Sequence, residues 1–171
     1  NLIDYCLCIY WGGNLDAAIS NFLGNGAPNN WFGFRDRTGA HGGFRFVVHD
    51  SEHTLLNVLQ DRTGPWPAGS SASQGAATAY TKSSPQYIFQ QLIKSQQFKM
   101  LFTDRVYKHF ANGGALTPAV GLARFNALTT VIDRAIVGES ARWGNSKTNP
   151  SLTRDGNWVP ATNRSEEHTS E

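Results

Sequence analysis

The sequence predicts an α+β domain that is mainly helical, with one β-hairpin near its N-terminus. Three observations carry that expectation. Apolar residues recur at three- and four-residue steps between Phe98 and Phe110, and again between Leu128 and Ile136. Two runs rich in aromatic and β-branched residues, 31–37 and 44–49, flank a Gly-rich connection. Large apolar side chains are plentiful (10 Phe and 5 Trp), so the 171-residue chain has the material for a core.

Taken in order, Leu2, Ile3, Tyr5, Cys6, Ile9 and Tyr10 are too uniformly apolar to separate faces. They predict a buried helix ending near Gly12-Gly13. Residues 12–30 follow as a loop rich in Asn, Gly and Pro, with room for one helical turn over 17–23. The hairpin comes next, and strand periodicity puts Phe44, Phe46 and Val48 on one face. Residues 69–84, dominated by Gly, Ala, Ser and Thr, read as a surface loop. Ser84 followed by Pro85 opens a helix through Tyr87, Ile88, Gln91 and Leu92. Phe98, Leu101, Phe102, Val106, His109 and Phe110 predict a strongly amphipathic helix, stopped by Asn112-Gly113-Gly114. Thr117-Pro118 opens a second long helix, which Leu128, Val131, Ile132, Ala135 and Ile136 carry to about Ser140.

Residues 164–171, Arg-Ser-Glu-Glu-His-Thr-Ser-Glu, read as the translation of a sequencing-library adapter, leaving 1–163 as the domain. Without them the 15 basic and 13 acidic side chains lose one Arg and three Glu, and the net charge rises from +2 to +4. The positive charge is not clustered beyond Arg35, Arg37 and Arg45 on the hairpin, which read as a solvated face and not a nucleic-acid surface. No apolar run is long enough to cross a bilayer. Cys6 and Cys8 sit too close in sequence to bridge each other in regular structure and read as small core hydrophobes. His109 on the apolar stripe reads as a core histidine, and Trp31, Trp66, Trp143 and Trp158 are scattered as packing residues. There is no phosphate-cradling G-x-x-x-x-G-K-[ST] loop.

One polar group stands out. Asp16 precedes the hairpin, Asn29 and Asn30 stand at its entrance, and Asp50 stands at its exit. A hairpin returns its ends to neighbouring positions, so Asn30 and Asp50 are expected side by side. A carboxylate and an amide oxygen together, with Asp16 in reach, suit a hard cation such as Mg²⁺ and its phosphates. Acid, amide, hairpin, acid is also the order in which protein kinases build their phosphoryl-transfer centre. A rival motif overlaps it. His49-Asp50-Ser51-Glu52-His53 matches H-x-x-E-H, which on one helix would hold Zn²⁺ through His49 and His53 with Glu52 as base. His49 closes a β-run, however, which is the wrong context.

The words around these residues are familiar. Asn1-Leu2-Ile3-Asp4-Tyr5, Gly13-Asn14-Leu15-Asp16, Pro28-Asn29-Asn30-Trp31-Phe32, Gly43-Phe44-Arg45-Phe46 and His49-Asp50-Ser51-Glu52-His53-Thr54-Leu55 resemble the CotH-like spore-coat kinase family. So do Phe102-Thr103-Asp104-Arg105-Val106-Tyr107-Lys108-His109-Phe110 and Gly113-Gly114-Ala115-Leu116-Thr117-Pro118. Ile132-Asp133-Arg134-Ala135-Ile136 and Glu139-Ser140-Ala141-Arg142-Trp143-Gly144 complete a resemblance that runs from Asn1 to about Pro160.

The resemblance implies the helical C-lobe of an atypical protein-kinase-like fold, transferring phosphate from ATP to protein Ser/Thr hydroxyls with Mg or Mn. It implies Asp16 as the catalytic acid, and Asp50 with Asn30 as metal ligands. With Asn30 as the amide, residues 17–29 read as an insertion; Asn21, five residues after Asp16, is the alternative amide. Nucleotide-binding residues are expected upstream of residue 1, so the fragment alone is expected to be inactive. A D-F-G glycine is lacking, since Glu52 stands in that place. The resemblance suggests a bacterial coat, envelope or secreted setting. The competing expectations are a non-catalytic surface module with the same fold, and the zinc hydrolase.

Overall fold

A computed structural model of the chain describes residues 1–23, 26–64 and 82–170, with side chains described through 164. Trp66 and residues 69–81 of the low-complexity stretch lie outside them. The chain is an α+β protein, mainly helical, with two small antiparallel hairpins. It divides into two units, Asn1–Tyr107 and Lys108–Glu171. Among the described residues no helix is long and apolar enough to cross a membrane.

The first unit opens on α1 (Leu2–Gly12), as the apolar run requires. Gly13 ends it in the left-handed region at φ 58°, and the N–H groups of Gly13 and Asn14 cap the carbonyls of Tyr10 and Ile9. A side chain at Gly13 would also press on Gln60, whose Cβ and carbonyl oxygen lie 3.3 Å from the position of an added Cβ. The core gathers on this helix. Tyr5, Cys6 and Ile9 pack with Ala17, Ala18, Phe46 and Phe89. Phe89 is edge-on to Tyr10, Phe98 and Phe102 at centroid distances of 5.8, 5.7 and 5.5 Å. Cys6 is buried there, whereas Cys8 is exposed, contrary to the expectation that both pack inward.

Residues 17–23 form no helical turn. β1 (Ala18–Ile19) pairs antiparallel with β2 (Pro28–Asn29), making a hairpin that periodicity did not disclose. Its strands are two residues long, too short to show alternation, and Ala17 to Ser20 are all buried. The expected hairpin follows as β3 (Trp31–Phe34) and β4 (Arg45–Val48), with Trp31 opposite Val48 and Phe34 opposite Arg45. Of the face Phe44, Phe46 and Val48, only Phe46 is buried; Phe44 is 60 % exposed. Phe46 rests on Tyr5 and Trp31, and the Asn1 side chain accepts from its N–H at 2.6 Å and donates to its carbonyl at 3.2 Å.

α2 (Pro85–Leu92) begins as expected, with the Ser84 hydroxyl accepting from the Tyr87 N–H and Pro85 in the first turn. α3 (Gln96–Phe110) is less one-sided than its sequence suggests. Phe98 and Phe102 pack against the core, but Leu101 is 52 % exposed and no residue of the helix is fully buried. In the first unit Arg105 Nε donates to Asp4 Oδ1 at 2.6 Å, tying α3 to α1.

In the second unit Asn112 and Gly113 turn the chain at φ 52° and 75°, and the Leu116 N–H caps the His109 carbonyl. α4 (Pro118–Trp143) starts at the expected proline and runs slightly further than expected. Its apolar residues Leu128 and Val131 are 67 % and 78 % exposed. A π-helical turn (Arg154–Trp158) and α5 (Val159–Ser170) complete the unit, neither marked by periodicity in the sequence. Arg154 grips Asp133 bidentately, Nε and Nη2 each 2.9 Å from a carboxylate oxygen.

Candidate functional site

The polar group around Asp16 is assembled by the two hairpins and the turn after α1. The Asn14 side-chain oxygen accepts from the Asp16 N–H at 2.9 Å, fixing the turn. The Leu15 N–H donates to the His53 carbonyl at 3.1 Å, and the Leu55 N–H donates to the Gly12 carbonyl at 2.7 Å. Those two bonds lay the segment after Asp50 against the segment before Asp16.

Asp16 itself is buried, 9 % exposed, and well supplied with donors. Its Oδ1 accepts from the Ser20 hydroxyl, and its Oδ2 accepts from the side-chain amides of Asn29 and Asn30, both at 2.9 Å. Asn30 Nδ2 also donates to the backbone carbonyl of Asp50 at 3.3 Å. Asn30 therefore links the Asp16 carboxylate to the backbone of Asp50. Asn30 and Asp50 both sit in the left-handed region, at φ 48° and 49°, where Asn and Asp are tolerated better than other side chains.

The oxygens of the trio differ in availability. Asn30 turns its amine toward Asp16 and Asp50, leaving Oδ1 without a donor among the described residues. The Asp50 carboxylate is exposed and likewise takes no hydrogen bond or ion pair there. Asn21 is exposed; its N–H donates to the Leu15 carbonyl at 2.7 Å, and its side chain does not reach Asp16. Two polar partners were not anticipated. Ser20 lies four residues after Asp16, a spacing without a motif attached. Arg62 is buried and donates to the Ile19 carbonyl. Burial pulls its pKa down, while Asp16 and then Asp61 oppose that shift. No local signal marks Arg62, because only folding brings it to β1.

The zinc expectation fails on geometry. Residues 49–53 are not helical, so His49 and His53 do not share a helix face. His49 packs edge-on to Phe32 at 4.8 Å, and His53 stacks on Phe22 at 3.8 Å with Nε2 3.3 Å from Glu52. Among the described residues no group of three or more His, Cys, Asp or Glu could hold a metal ion. Hollows at the tip of the second hairpin and along α4 are lined by none of Asp16, Asn30 and Asp50. Compared with family models, curated proteins and solved structures, the chain matches none of them.

Proposed function

We propose that the chain carries the acceptor and metal side of an ATP-dependent protein kinase of the CotH-like kind, phosphorylating Ser or Thr hydroxyls on a protein. Its fold in this reading is the helical lobe of an atypical protein-kinase-like architecture. The observation that carries the proposal is Asn30, whose single amine meets the Asp16 carboxylate and the Asp50 backbone at the base of one hairpin.

The roles follow from which atoms are free. A carboxylate offers about four lone-pair sites, and three side-chain donors already hold Asp16, so one direction remains for an acceptor hydroxyl. Asp16 orients that hydroxyl and takes its proton late in the transfer. The Asp50 carboxylate and Asn30 Oδ1 are hard oxygen donors of the kind Mg²⁺ or Mn²⁺ prefers. Such an ion supplies charge neutralisation on the phosphate oxygens. The nucleotide itself requires residues beyond this set.

The test is transfer of label from ATP with Mg²⁺ or Mn²⁺, in the chain joined to its upstream coding sequence, wild type beside Asp50→Ala. Incorporation lost in the variant supports the reading. One observation favours a second reading, a non-catalytic module: Asp16 is buried and braced in the manner of a structural carboxylate. Folded wild type that labels no acceptor protein would favour that module.

A further inference from the structure

We infer that the tip of the second hairpin docks a phosphorylated protein segment, an inference that rests on the kinase reading for the origin of that segment. The connection between β3 and β4 carries Arg35 and Arg37, and Arg45 follows where pairing resumes; all three are exposed. Its one acid is already occupied. Asp36 accepts from the Thr38 N–H at 2.8 Å and from the Thr38 hydroxyl at 2.7 Å, with His41 Nε2 4.0 Å away. Among the described residues no carboxylate pairs with these arginines, and Arg45 reaches only the His41 carbonyl, at 3.5 Å. Three arginines against the single carboxylate of Asp36 leave the loop with a net charge of +2, His41 counted neutral.

Two hollows meet at this tip. One of about 460 Å³ is lined by Phe34, Arg35, Asp36, His41, Gly43 and Arg45. Its neighbour of about 410 Å³ shares Phe34 and Arg35 and adds Arg37 and Phe44. Three arginines thus line the two hollows, Arg35 being common to both, and the planar fork of a guanidinium matches phosphate oxygens. Phe34 and Phe44, 57 % and 60 % exposed, can cover the apolar stem of a flanking chain.

Confinement selects the class of ligand. Single-stranded nucleic acid calls for a basic groove that follows the backbone past successive stacking rings. Here the arginines crowd into one short loop, and the whole chain has a net charge of only +2. Three arginines around two adjoining hollows fit phosphoserines close in sequence, which an enzyme that phosphorylates protein hydroxyls would itself create.

The experiment is fluorescence anisotropy with the full chain and a labelled peptide bearing two phosphoserines. The unphosphorylated peptide and a single-stranded oligonucleotide serve as comparisons. The phosphopeptide is expected to bind and the unphosphorylated one not to. Arg35→Ala/Arg37→Ala should weaken binding at least about tenfold, because charge-assisted hydrogen bonds are lost. Arg134→Ala, an exposed arginine of α4, should leave it unchanged. Equal binding of the unphosphorylated peptide, tighter binding of the oligonucleotide, or an equal loss with Arg134→Ala would overturn the inference. The assay needs no turnover. A failed transfer experiment and a failed binding experiment are therefore separate results.

Discussion

Asn30→Ala tests whether one amide holds the candidate site together. Asn30 gives Asp16 a partly buried, charge-assisted hydrogen bond at 2.9 Å, of a type worth about 1.5–3 kcal/mol. Its 3.3 Å bond to the exposed Asp50 carbonyl adds about 0.5 kcal/mol at most. Alanine must also adopt φ 48°, at a cost of about 1 kcal/mol. The sum is about 2.5–4.5 kcal/mol, which at a urea m-value of about 2 kcal/mol/M lowers the midpoint by about 1.2–2.2 M. Asn30→Gly loses the same bonds but accepts the backbone, so it should be about 0.5–1 kcal/mol milder. Urea unfolding followed by tryptophan fluorescence reads both, since Trp31 adjoins the site. A shift below about 0.3 M for Asn30→Ala would refute the linking role. Asn30→Gly proving as harmful as Asn30→Ala would refute the backbone argument.

Two further outcomes are expected. Burial, the largest cause, pushes the Cys6 thiol up to about 12; partial burial and then Asp4 raise Cys8 as well, but Cys8 is exposed to reagent. Alkylation of the native chain near pH 8.5, about the ordinary thiol pKa, should therefore label Cys8 and label Cys6 only after denaturation; equal native rates for both would contradict this. In the second unit, hydrogen bonding from Arg154 holds the Asp133 carboxyl below its ordinary range. A depressed folded pKa means the pair's contribution is fully present above the unfolded value of about 3.9, and is lost as pH falls through the folded one. Protection factors over residues 154–170, taken relative to the intrinsic exchange rate at each pH, should then fall at low pH in wild type, and already at neutral pH in Asp133→Asn. Unchanged exchange in the variant would show that the pair does not secure this segment.

The elements legible in the sequence were those whose signal is local. Gly13 and Ser84-Pro85 mark helix ends because capping involves only neighbours along the chain. Alternating apolar residues around a Gly-rich connection disclosed β3 and β4, whereas the two-residue strands β1 and β2 were too short to alternate. Apolar stripes predicted helices over 98–110 and from 118 to about 140, yet they did not predict burial. Leu101, Leu128 and Val131 remain exposed, because burial depends on a partner surface that periodicity does not specify.

The candidate site divides in the same way. The sequence by itself determined that acid, amide and acid bracket a hairpin, because a hairpin returns its ends to one place and so makes separation along the chain into proximity. Only the tertiary structure decided which amide reaches Asp16 and which oxygens remain without a donor among the described residues. Asn30 reaches Asp16 and Asn21 does not, although both lie within fifteen residues of it. Ser20 and Arg62 joined the group without a motif, one through the first hairpin and the other from a distant segment. The physical reason is that a buried carboxylate must collect hydrogen bonds from whatever the fold brings near, and those partners are set by packing and not by spacing.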